Sequence, residues 1–347
     1  MKKNVLMIGP ARCVKGGMTS VVDNYYNVGL DKMVNLKYIE TCNDSNIFRK
    51  LLKEILGLYE FRININNYDI VHIHMASRRS TFRKSKYVRI AKNKGKKIII
   101  HIHGAEFKLF YNECTEKQKV YVRETLDLAD KIIVLSEEWK EYFKNLVDEK
   151  KIVVVYNSIV IPNDFEKKLD TNKLLFLGRI GQRKGIYDLI DVVEMLVNDF
   201  PNLKLYIGGD GEVEKLKQII REKGLEQNVI YVGWISGKQK ERLLTECSFY
   251  ILPSYNEGMP MSVLEAMAYK NVTISTNVGG IPKVIKDMEN GIIIEPGDKE
   301  NLFNNLKKVL NDKKLSEILS NNCRKTIEEK FNINTKLKEL VNLYEKI

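Results

Sequence analysis

The chain has only five cysteines, at positions 13, 42, 114, 247 and 323; they are odd in number, widely spaced and form no Cys-x-x-Cys pair. That excludes a disulfide scaffold or a zinc ribbon and fits reduced thiols in a cytoplasm. No apolar run approaches the ~18 residues that cross a bilayer. The opening MKKNVLMIGPARC starts with a basic stretch. Its apolar run of about five residues falls short of the ~7 of a signal peptide and reads as a first β-strand. Low-complexity tracts are missing too. With 44% hydrophobic residues, the composition is that of a folded globular protein. At 347 residues the chain exceeds one ordinary core, and two domains of about 170 residues are expected. Acid is absent where base is densest: residues 78–97, RRSTFRKSKYVRIAKNKGKK, hold ten basic side chains and no acidic one. Such a run attracts anions, whether nucleic acid, phosphorylated substrate or an anionic bilayer.

Strand-like runs recur through the first half at 4–9, 69–74, 97–104, 131–136 and 151–157. Most are continuous and β-branched, and longer mixed segments separate several of them, which is how a parallel sheet covered by helices reads. IVIPND (159–164) breaks the pattern and is the candidate linker. Alternation restarts with KLLFLG (173–178). The helix after it places Ile186, Leu189, Ile190, Val193 and Val197 on one face. Further strands are expected at 203–209, 228–233, 248–254, 271–277 and 291–298, with a helical tail from about 300. The expectation is two doubly wound α/β halves, with substrates between the carboxyl ends of their strands.

The densest chemistry lies in SYNEGMPMSVLEAMAYKN (254–271). Glu257 falls in a turn containing Gly and Pro, and Pro260 suits a first helical position. The segment Met259, Pro260, Met261, Ser262 would form a bare helix N-terminus, which suits a diphosphate. Glu257 and Glu265 are poor phosphate ligands but good acceptors for sugar hydroxyls. Together they describe a site for a nucleotide carrying a sugar. The alternative, a surface turn and an amphipathic helix, fits Glu265 poorly because VLEAMA surrounds it with apolar residues. In FLGRIGQRKG (176–185), Arg179 and Lys184 supply a fork and a point cation that could neutralise a leaving diphosphate without metal. An Arg-x4-Lys pair also suits an ordinary solvated loop; beside the glutamate motif it gains meaning.

Over nearly its whole length the chain resembles the retaining GT-B glycosyltransferases of the GT4 type. EGMPMSVLEAMA matches that family's Glu-x7-Glu signature, GRIGQRKG its donor-phosphate loop, and YIGGDGE (206–212) a strand end of its second domain. NVGGIPKVIKDMENGIIIEPGD (277–298) resembles the block after the signature, and VKGGMTSVV (14–22) the first-domain glycine loop. The resemblance implies a GT-B fold, two Rossmann-like domains facing a central cleft. The acceptor-side domain would span 1–165, the nucleotide-sugar domain 166–325, and a last helix, 326–347, would return to the first domain. It implies that Arg179 and Lys184 hold the diphosphate, that Glu265 bonds the ribose and that Glu257 bonds the donor sugar. Gly16 and Gly17 would lie beside diphosphate and acceptor, and Trp234 and Ile235 where the nucleobase sits.

All four histidines lie in IVHIHMAS (70–77) and IIIHIHGAEF (98–107) as two His-x-His pairs, each sharing a strand face. From the residues alone they could be a metal site, a catalytic base with neighbours, or core. The resemblance assigns His103 to the donor sugar and acceptor, with His74 in the cleft wall and His72 and His101 packed behind. A metal cage would need further ligands and orienting partners, and no Asp-x-Asp occurs. Metal-independent transfer with no cofactor is therefore expected. The expected partners are a nucleotide-sugar donor, UDP-sugar favoured, and a lipid-linked glycan acceptor of surface polysaccharide synthesis. The basic run, with Arg78, Arg79, Arg83 and Lys84, would face an anionic membrane as a peripheral contact at the inner face of the cell membrane. A nucleotide-sugar epimerase or a soluble-acceptor synthase could share the fold. Nucleic acid is not the expected partner, because it would not explain the two glutamates flanking a helix N-terminus.

Overall fold

The β-branched runs pair into two all-parallel sheets in the computed structural model, which describes residues 2–43, 46–163, 165–167, 169–170 and 172–347. The first sheet contains β1 (Asn4–Gly9), β2 (Asn35–Glu40), β3 (Ile70–Met75), β4 (Lys97–Ile102), β5 (Lys131–Val134) and β6 (Ile152–Val154), in the order β2-β1-β3-β4-β5-β6. Leu6, Ile8, Val71, Ile73, Ile100 and Ile132 are buried in its core with Phe61, Tyr87, Phe107 and Phe143 from covering helices. Burial on both faces explains why these strands read as unbroken apolar runs.

The second sheet contains β7 (Lys173–Leu177), β8 (Lys204–Gly208), β9 (Val229–Gly233), β10 (Phe249–Leu252), β11 (Val272–Thr276) and β12 (Ile292–Ile294), in the order β12-β11-β10-β7-β8-β9. Each sheet has one place where strand order reverses, between β1 and β3 and between β7 and β10. Connections there leave to opposite sides and open a crevice at the carboxyl ends.

Two compact units result, Met1–Val160 with Asn332–Ile347, and Ile161–Phe331. The division falls within the expected linker at 159–164, whose last residue lies outside the described residues. The crossing back comes at 331/332. The Ile333–Lys346 helix buries Leu337, Leu340 and Tyr344 in the first unit, and Ile333 N–H donates to the Ile159 carbonyl at 3.0 Å. Strand β2 was not anticipated: NLKYIE buries only Ile39 fully, as an edge strand can.

Candidate functional site

In the second unit, the chain leaving β7 and the chain leaving β10 meet at the reversal of strand order. After β7 it folds through a short 3-10 turn at Gln182–Lys184 and enters the Ile186–Leu196 helix at Gly185. Gly185 has φ 67°, and a Cβ there would lie 1.9 Å from the Pro253 carbonyl oxygen, so glycine alone allows the two loops to touch. Arg183 Nη1 donates to the Asn256 carbonyl at 2.8 Å, and Tyr255 N–H to the Arg183 carbonyl at 2.8 Å.

These contacts bring Lys184 onto Glu257. The carboxylate is almost fully buried and accepts from Lys184 Nζ and, at 2.7 Å, from Ser254 Oγ. A buried carboxylate is tolerable only when paired and hydrogen-bonded. Gly279 passes against the Glu257 backbone: a Cβ there would sit 2.0 Å from the Glu257 carbonyl oxygen. That close approach accounts for the glycines of NVGG.

The Met261–Ala268 helix starts at Pro260 with no side chain capping it. Its first N–H groups point to the crevice end of the sheet, where an anion would be stabilised by partial positive charge. Met259 and Met261 are buried and Ser262 is half-buried. Glu265, one turn in, accepts from Lys240 Nζ at 2.8 Å. Arg179 is exposed on the turn after β7; Trp234 is exposed and Ile235 buried after β9. Sequence reasoning missed Ser254 and Lys240. Ser254 could have been suspected from its place three residues before Glu257. Lys240 sits on the Gly237–Glu246 helix without any local signal.

In the first unit the histidines form a stack. His74 and His101 are register partners on β3 and β4, which converts two His-x-His pairs into four adjacent rings. Centroid separations run from 4.1 Å for His101–His103 to 5.4 Å for His72–His101. His72 Nδ1 is 2.6 Å from Tyr344 Oη, His72 Nε2 is 3.3 Å from His101 Nδ1, and His74 Nδ1 is 2.8 Å from His103 Nε2. Burial holds all four well below the ordinary imidazole pKa, so they are neutral. Ring nitrogens of His72, His74 and His101 come within 4.8 Å of one another. The rings are nearly parallel, at 14–28°. His74 corrects an expectation: it is fully buried and does not form a wall open to acceptor. His103, at the strand end, is half-exposed.

Gly16 (φ 151°) and Gly17 open the Gly17–Asn27 helix after β1, with free space around Gly16. The basic run forms the Arg79–Asn93 helix, and its charges are not equivalent. Arg78 is paired with Glu113 at 2.6 Å, Lys86 with Glu54 at 3.2 Å and Arg89 with Glu124 at 3.2 Å. Arg79 is exposed and Arg83 half-buried, its Nη2 3.3 Å from Cys42 Sγ. Lys84 corrects the expectation of a membrane-facing cation. It is 1% exposed and donates to Thr41 Oγ1 at 2.6 Å, and burial pushes its pKa well down.

Residues 37–161 match Glycosyltransferase Family 4, and residues 157–326 match Glycosyl transferases group 1. An uncharacterised glycosyltransferase of Methanocaldococcus jannaschii is 27% identical over 261 residues, 70% of this chain and 63% of its own length. The chain thus spans under two thirds of that relative. A UDP-Gal:α-D-GlcNAc-diphosphoundecaprenol α-1,3-galactosyltransferase of Escherichia coli is 28% identical over 342 residues, 91% of this chain and 84% of its own. Among solved structures, the sucrose-phosphate synthase of Thermosynechococcus elongatus superposes with a TM-score of 0.83 over 99% of both chains at 17% identity, a likeness of fold. Among the described residues no helix is long and apolar enough to cross a membrane.

Proposed function

Since this chain belongs to the GT-B glycosyltransferases of the GT4 type, we propose that it transfers a sugar from a UDP-sugar to a hydroxyl of a lipid-linked glycan, with retention and without metal, in surface polysaccharide synthesis. The observation that carries the reading is the Lys184–Glu257–Ser254 cluster at the reversal of the second sheet, beside an uncapped helix N-terminus.

Arg179, Lys184 and the N–H groups at Met261 and Ser262 receive the diphosphate. Glu257 accepts from the donor sugar's hydroxyls, and Glu265 from the ribose. Trp234 and Ile235 flank the base. In the first unit, Gly16 and Gly17 leave room for phosphate and acceptor, and His103 reaches the reacting sugar. The C1–O bond to the diphosphate breaks, the acceptor oxygen bonds C1 on the same face, and its proton passes to the departing phosphate oxygen. Cationic side chains and helix N–H groups stabilise the charge on the leaving group, so positioning and electrostatics supply most of the rate.

The donor and acceptor assignments draw support from the E. coli relative, whose printed activity uses UDP-Gal and a diphosphoundecaprenol-linked acceptor. The exposed cations of 78–97 support a contact with an anionic leaflet, each contributing about 1 kcal/mol near the surface. The test is a screen of UDP- and GDP-sugars against undecaprenyl-diphosphate-linked GlcNAc, followed by mass spectrometry with and without EDTA. A lipid-linked product formed from a UDP-sugar in EDTA is the expected result. Loss of activity in EDTA restored by manganese would remove the metal-free mechanism. Free UDP-sugar epimers formed without acceptor would establish an epimerase instead.

A further inference from the structure

The Ile47–Asn64 helix is amphipathic the wrong way round for a soluble protein. Seven of its large apolar side chains point to solvent: Phe48, Leu51, Leu52, Ile55, Leu56, Tyr59 and Ile63 are each more than half exposed, Phe48 at 81%. They recur at three- and four-residue spacing, so they form one stripe along the helix. Three of its charged residues, by contrast, pair with the rest of the unit. Lys53 pairs with Glu40 at 2.7 Å, Glu54 with Lys86 at 3.2 Å and Glu60 with Lys37 at 3.1 Å. Gly57 lets the backbone close on the sheet, where a Cβ would lie 2.7 Å from the Glu40 carbonyl oxygen. Phe61, in the last turn, is fully buried. The helix is therefore seated by these ion pairs, by Gly57 and by Phe61, while its apolar stripe is presented outward.

A continuous outward apolar stripe of this kind marks an interaction surface. Charge identifies the occupant. The helix carries only two carboxylates, Glu54 and Glu60, and both are taken up by lysines. Exposed Arg49, Lys50 and Arg62 are interspersed with the stripe, and the basic Arg79–Asn93 helix packs alongside. An apolar stripe edged by cations that meet no carboxylate among the described residues fits the interface of an anionic bilayer, with the side chains among acyl chains and the cations among headgroups. Eighteen residues give a helix about 27 Å long, lying in the membrane plane.

We propose that the outward face of the Ile47–Asn64 helix inserts into an anionic lipid surface and is the element that anchors this enzyme to the membrane. The inference deepens the membrane-facing part of the function proposed above and rests on it for the choice of lipid. It is independent of sugar chemistry.

The test is flotation of the full chain with vesicles of equal phosphatidylglycerol and phosphatidylcholine, against phosphatidylcholine alone. The variant is Leu52→Gln/Ile55→Gln/Tyr59→Gln, which adds no charge and alters only outward positions, its fold checked by circular dichroism and melting. Wild type should float with anionic vesicles, and the variant's bound fraction should fall about tenfold even at low salt. A Phe48→Trp/Trp234→Phe variant should be quenched by brominated lipid far more than Trp234→Phe alone, whose remaining Trp139 is buried in the core. If the triple variant floats like wild type, this helix is not the anchor and the basic surface alone binds. If wild type ignores every vesicle, the inference falls together with the membrane part of the proposed function, while the donor screen still decides the transferase reading. A wild-type dimer that the variant dissociates, without vesicle binding, would assign the stripe to a second copy of the chain and overturn the proposal.

Discussion

Acidification should destabilise the first unit steeply through its histidine stack. His72, His74 and His101 are essentially inaccessible to water, and burial lowers their pKa values, that of His72 to about 3. Unfolded, each titrates near 6.5. Below that value the unfolded chain binds more protons than the folded one, so the stability contributed is complete above about pH 6.5 and is lost as pH falls toward the folded values. Between about pH 7.5 and 5.5 each imidazole removes about 1.4 kcal/mol, and the three together about 4 kcal/mol. At a urea slope of about 2 kcal/mol/M, the midpoint drops by roughly 2 M. Trp139, buried in this unit, reports the transition by fluorescence. Lys84, also desolvated, acts in the same direction, so the histidine share is isolated by His101→Phe, which should reduce the difference between the two pH values by about 1.4 kcal/mol. A wild-type change under about 1 kcal/mol over this interval would mean that the imidazoles charge freely in the folded state. The account of a dry, neutral stack would then be wrong.

Lys84→Met should leave stability in urea unchanged or raise it, because Met keeps the packing and removes the burial of an ammonium that pushes the Lys84 pKa down; a loss above about 3 kcal/mol would reveal a paired charge there. Glu257→Gln should lower turnover by about two orders of magnitude with the fold retained in circular dichroism, although loss of the Lys184 ion pair lowers the melting temperature, and near-native turnover would place the donor sugar elsewhere. Lys240→Met should weaken UDP binding about tenfold in calorimetry, since it leaves the half-buried Glu265 carboxylate uncompensated at the proposed nucleotide site; unchanged affinity would make that ion pair purely structural. His103→Ala should slow transfer while leaving UDP affinity intact, because the imidazole belongs to the first unit; equal loss of both would mark it as a packing residue.

What the sequence disclosed follows from how much of each feature is local. Strands such as KIIIHI are buried on both faces, so their Ile-rich runs were legible without any partner. β2 was not, because an edge strand with one fully buried residue has no such run. The Glu257 loop and the Lys184 turn each looked chemical by themselves. Their meeting required β10 to lie next to β7, an adjacency of strands far apart in sequence. Lys240 arrives from a third segment and had no local mark at all. Counting charge also hid geometry. The ten cations of 78–97 suggested one basic face, yet Thr81, Lys84, Ser85, Val88 and Ala91 fall on the buried side of that helix. Lys84 could have been set apart by its phase, since it lies four residues before Val88. The same reading by phase, applied to FRKLLKEILGLYEFRI, exposes the opposite case. There the apolar phase is complete, and sequence periodicity would assign that stripe to the core; its exposure, with the opposite face tied down by Lys53, Glu54 and Glu60, reveals that it faces outward. Periodicity fixes which residues share a face of a helix, and the partners of the opposite face decide whether that stripe meets protein or lipid.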